Sequence, residues 1–90
     1  MDRKGLNIGW WFELVFSNRL KLAMKNKNMT VSELARRSGI HTHTIYLYLE
    51  PEKYGRKINP RIMSLETLAE ALDVSIDWLW GRTEARSRLL

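Results

Sequence analysis

His41 and His43 are the two histidines of the chain, and they stand in "GIHTHTIYLYLEP", residues 39–51. An imidazole can ligate a metal, move a proton, or hydrogen-bond a base edge or a phosphate. Ligand pairs on a helix favour i,i+3 or i,i+4 spacing, whereas residues two apart point to nearly opposite sides. The chain has no cysteine, and no nearby carboxylate completes a ligand set, so no metal and no cofactor is expected. Catalysis would need a nucleophile, a base and an orienting acid, and no such combination is apparent; an enzyme is not expected. A contact to a polyanion is left, and protonation of a histidine would strengthen it.

The charge pattern points the same way. Net charge is +5 over 90 residues. Residues 17–41 carry Arg19, Lys21, Lys25, Lys27, Arg36 and Arg37 against Glu33 alone. Residues 53–61 carry Lys53, Arg56, Lys57 and Arg61 with no acid, and residues 62–81 carry Glu66, Glu70, Asp73 and Asp77 with no base. A basic pole and an acidic pole are expected, and a basic pole is the footprint of a polyanion binder. Solvated helix faces are the plainer reading of the same charges.

The elements that position these groups are short helices in one small domain. In "NMTVSELARRSG", Thr30 and Glu33 form a capping box, and Gly39 supplies a left-handed close. Upstream, Phe16, Leu20 and Ala23 fall on one face of a helix that ends near Asn28. Its beginning, "WWFELVF", is apolar almost all round and so faces two surfaces. Trp10, Trp11 and Phe12 either cap the core against Trp78 or Trp80, or extend a dimer interface. Residues 41–50 form a third helix that Pro51 ends, and "EKYGRKINPR" is a basic loop. Ser64 caps "LETLAEAL", with Leu65, Leu68, Ala69 and Leu72 as its apolar stripe, and Asp73 ends it. Ser75 caps "IDWLW", and Gly81 closes that last helix. No strand alternation, repeat or run of 18 apolar residues occurs, so no membrane span is expected. The N-terminus does not read as a signal peptide, because Asn7, Gly9 and Glu13 interrupt its apolar part.

Two helices joined at Gly39, with Ala35 before it and Ile45 after it, describe a helix-turn-helix. Ala35 permits close approach, and Leu34, Ile40, Ile45 and Tyr48 fill the space between the helices. "NRLKLAMKNKNMTVSELARRSGIHTHTIYLYLE", followed by "SLETLAEALDVSIDWLWGRT", resembles the XRE-type family of phage repressors and Cro proteins, from about Phe16 to Thr83. The resemblance implies an all-α fold: a five-helix lambda-repressor-like DNA-binding bundle over residues 16–83. Residues 1–15 would be an aromatic N-terminal extension, and 84–90 a tail. It implies a transcriptional repressor of phage or prophage origin, a homodimer on double-stranded DNA in the prokaryotic cytoplasm and nucleoid, with no small-molecule ligand. The base-facing positions fall on Thr42, His43, Tyr46 and Leu47. The backbone-facing positions fall on Arg19, Val31, Ser32 and His41, and the loop residues Lys53, Arg56, Lys57 and Arg61 lie beside the third helix.

The sequence departs from the family pattern where bases are read. His41 opens the third helix in place of a small polar residue. Gln, Asn, Arg or Lys commonly make bidentate base contacts, and residues 41–50 contain none of the four. Leu47 and Leu49 stand where a polar residue and Glu are common. The following loop is longer by roughly six to eight residues, a tolerable surface insertion. A protein-interaction module that keeps the fold without reading an operator is the competing expectation.

Overall fold

The computed structural model describes residues 8–54 and 59–83, with side chains from Leu14 onward. Six helices occur in that range: α1 (Ile8–Asn26), α2 (Val31–Ser38), α3 (Thr42–Leu49), α4 (Pro51–Tyr54), α5 (Ile62–Leu72) and α6 (Ile76–Leu79). No strand is present among the described residues. The all-α bundle is as expected, with one further helical turn, α4. Trp10, Trp11 and Phe12 lie on the α1 backbone, but their side chains are outside the described set. α1 passes residue 16 without a break.

The helix ends follow local chemistry. The Glu33 amide donates to the Thr30 hydroxyl at 3.1 Å, which caps α2. Glu33 does not close the expected box. Its carboxylate lies 3.1 Å from Arg37 and 3.7 Å from Arg36, one turn onward. Gly39 closes α2 at φ +77°, where its amide donates to the Ala35 carbonyl. α1 ends in a Schellman motif: Asn28 sits at φ +55°, its amide donates to Lys25, and the Met29 amide donates to Met24. Asp73 ends α5 in the same way, at φ +58°. The Trp78 amide donates to the Ser75 hydroxyl at 3.0 Å, and Gly81 follows at φ +89°. A Cβ on Gly81 would stand 3.0 Å from Val15 of α1, so a side chain there is opposed twice.

Two boundaries differ from the sequence reading. Pro51 is expected only to end α3, yet it also opens α4 as its first residue. A proline is favoured there, because the first helical N–H has no partner to lose. Ser64 is expected to cap the next helix, but α5 begins at Ile62, and Arg61 occupies the cap without a side-chain bond. Ile62 and Met63 are exposed, so the apolar stripe gives no sign of that first turn.

The core gathers one face from each long helix. Phe16, Leu20 and Ala23 of α1 meet Leu34 of α2, Ile45 and Tyr48 of α3, and Leu65, Leu68 and Leu72 of α5. The Phe16 ring stands edge-on to Tyr48 at 5.5 Å and to Trp80 at 6.0 Å. α3 therefore rests on α1 and α2, while α6 closes against α1 and α5.

Candidate nucleic-acid interface

α3 turns Ile45, Tyr48 and Leu49 into the core. The 3.6-residue period then places His43 and Tyr46 outward, and Tyr46 is 44% exposed. Thr42, Thr44 and Leu47 are half-buried at the margins. The four expected base readers thus share the accessible side of one helix. Their display is fixed from behind: the buried Ser17 hydroxyl of α1 donates to the Leu49 carbonyl at 2.7 Å, holding the end of α3. Sequence reasoning missed Ser17, since its partner is 32 positions away.

His41 has a second duty besides the phosphate contact expected of it. Its Nδ1 accepts from the His43 amide at 3.0 Å, so the imidazole caps α3. The small polar residue common at this position is replaced by a ring that does the same work.

α2 adds a phosphate-compatible terminus beside α3. The first N–H groups of a helix have no intrahelical acceptor and carry a partial positive charge. Thr30 takes the Glu33 amide. The amides of Val31 and Ser32, the first two residues of α2, remain at its mouth. Arg36 and Arg37 follow on the same short helix and are exposed.

Arg19 is engaged elsewhere. Its Nη1 donates to the Trp78 carbonyl at 2.6 Å and to the Thr83 carbonyl at 2.7 Å, and its Cζ lies 5.1 Å from the Trp78 ring centre. This nitrogen closes α1 against α6. Its partners lie 59 and 64 positions away, beyond the reach of local pattern.

The basic segment after α3 is described in part. Lys53 and Arg61 are exposed, whereas Arg56 and Lys57 lie outside the described residues. Lys53 Nζ stands 3.7 Å from Glu50, the acid that follows α3, and offsets its charge. Tyr54 is a further candidate. Its ring meets His43 edge-on at 6.1 Å, with an interplanar angle of 83°. The sequence alone places Tyr54 in a basic loop, because Pro51 marks the end of α3 as readily as the start of a further turn. The acids of the expected acidic pole lie elsewhere. Glu66, Glu70 and Asp77 line an open groove between α5 and α6 with Ala69, Val74 and Ile76. Among the described residues, no group of three His, Cys, Asp or Glu side chains is placed to hold a metal ion. No helix among them is long and apolar enough to cross a membrane.

A helix-turn-helix with an outward α3, in a bundle of this order, defines a class of DNA-binding domain. The family model for the Cro/C1-type HTH DNA-binding domain matches residues 19–79, and the chain belongs to that family. Among solved structures, it is similar to the N-terminal DNA-binding domain of SinR from Bacillus subtilis. The TM-score is 0.66 at 27% identity, covering 78% of this chain and 96% of that one. No curated protein matches the chain. Family and fold are those of DNA-binding transcription regulators, which are not enzymes.

Proposed function

We propose that this chain is a sequence-specific transcriptional repressor of phage or prophage origin. It binds operator DNA in the prokaryotic cytoplasm as a homodimer, with α3 in the major groove. The observation that carries this reading is the outward display of His43 and Tyr46, with Leu47 at the margin, on a helix whose other face is locked into the core. Thr42 or His43 hydrogen-bonds a base edge, and Leu47 meets thymine methyl groups. The amides of Val31 and Ser32, with Arg19, His41, Lys53, Arg56, Lys57 and Arg61, hold the phosphates and set the register. Repression is steric, since a dimer on the operator blocks polymerase.

A second reading rests on one observation: residues 41–50 carry no Arg, Lys, Asn or Gln. An apolar, tyrosine-bearing helix also suits a protein partner. Selecting bound duplexes from a random pool at fixed salt separates the two. A palindromic consensus supports an operator-binding dimer, because half-site symmetry mirrors protein symmetry. Binding without sequence preference rejects operator reading and favours the protein-interaction module.

A further inference from the structure

We infer that Tyr54 is a positioning residue for His43, so that discrimination by α3 depends on a ring supplied by α4. The inference rests on the reading of His43 as a base-facing group. His43 sits exposed in the first turn of α3, and an exposed side chain loses rotamer freedom when it must meet a base edge in one orientation. Tyr54 supplies part of that restraint. Its ring stands 6.1 Å from the imidazole, edge to face. Had α3 continued straight, residue 54 would lie about 16 Å along the axis from residue 43. The chain instead bends at Glu50, with φ −135° and ψ 64°. Pro51 then opens α4, and the Lys53 and Tyr54 amides return to the Glu50 carbonyl at 3.1 and 3.4 Å. That bend carries the tyrosine back to His43. Lys53 Nζ, 3.7 Å from Glu50, lies 5.9 Å from the Tyr54 ring centre and adds a second contact. These contacts use the ring of Tyr54, not its hydroxyl.

The test uses the whole chain and its selected operator. Affinities are measured at fixed salt for every single base-pair change, with His43→Ala, Tyr54→Phe, Tyr54→Ala and the double alanine variant. Tyr54→Ala is expected to lower discrimination by about two- to tenfold at the base pairs that His43→Ala affects, and only there. The double variant should lose no more than His43→Ala, and Tyr54→Phe should match the parent. In the free protein, the His43 ring-proton NMR shifts should move in Tyr54→Ala and hold in Tyr54→Phe. A His43→Ala profile that is altered beside a Tyr54→Ala profile that is unchanged overturns the inference alone. So does a Tyr54→Ala loss that is uniform over all sequences with a shallower salt dependence, which marks a phosphate contact. A His43→Ala profile no different from the parent overturns the base reading itself, and the inference with it.

Discussion

At the scale of single residues, the capping histidine and the buried serine carry the sharpest expectations. Replacing His41 with Ala removes the acceptor for the His43 amide and should cost about 1 kcal/mol, while His41→Asn restores it. Urea denaturation measures the loss, and faster hydrogen exchange at the His43 amide locates it. Ser17→Ala leaves the Leu49 carbonyl without its donor in a buried setting, and the expected loss is about 1–3 kcal/mol. A urea midpoint equal to that of the parent would reject a stabilising role for this bond. Legibility at this scale follows distance along the chain. Thr30, Gly39, Asp73 and Ser75 are readable because each acts within a few positions of itself. Ser17 looks like an ordinary polar position and Arg19 reads only as a phosphate contact, since their partners within the chain are named only by the tertiary fold.

At the scale of elements, α2 and α3 are legible because their caps and their apolar phase agree. The inward set of α3, Ile45 with Tyr48 and Leu49, follows from helical phase alone. α4 is not legible, because a proline marks the end of one helix and the start of another with equal force. Its consequence for His43 is hidden with it. The start of α5 is hidden by its exposed first turn. Leu47→Ala should lose affinity at thymine-bearing positions and keep it elsewhere, with a penalty of about 1–3 kcal/mol for each misread pair. Uniform weakening over an operator library would remove Leu47 from base reading. The basic segment has a different signature. Removing one cation from a phosphate lowers the slope of log K against log salt by about 0.9, so Arg56→Ala with Lys57→Ala should flatten it by up to twice that. An unchanged slope would take those two residues out of the interface.

At the scale of the whole molecule, the chain is divided electrically. Basic groups flank the α2–α3 unit, and Glu66, Glu70, Asp73 and Asp77 gather on or beside α5 and α6. Such a division orients an approaching polyanion before any base is read. The proposed operator-binding dimer has a direct check: sedimentation on operator DNA should show two copies of the 10.7 kDa chain per palindrome. One copy per site would overturn it. The Arg19 clamp bears on how the molecule comes to exist. α1 is made before α6, and the Thr83 carbonyl that Arg19 grips is made 64 residues after Arg19. At synthesis rates of about 5 to 20 residues per second, this gap is about 3 to 13 seconds. During that interval α1 lacks the contact that locks it, and α3 leans on α1. The face proposed to read DNA therefore gains its full backing only once α6 has been made.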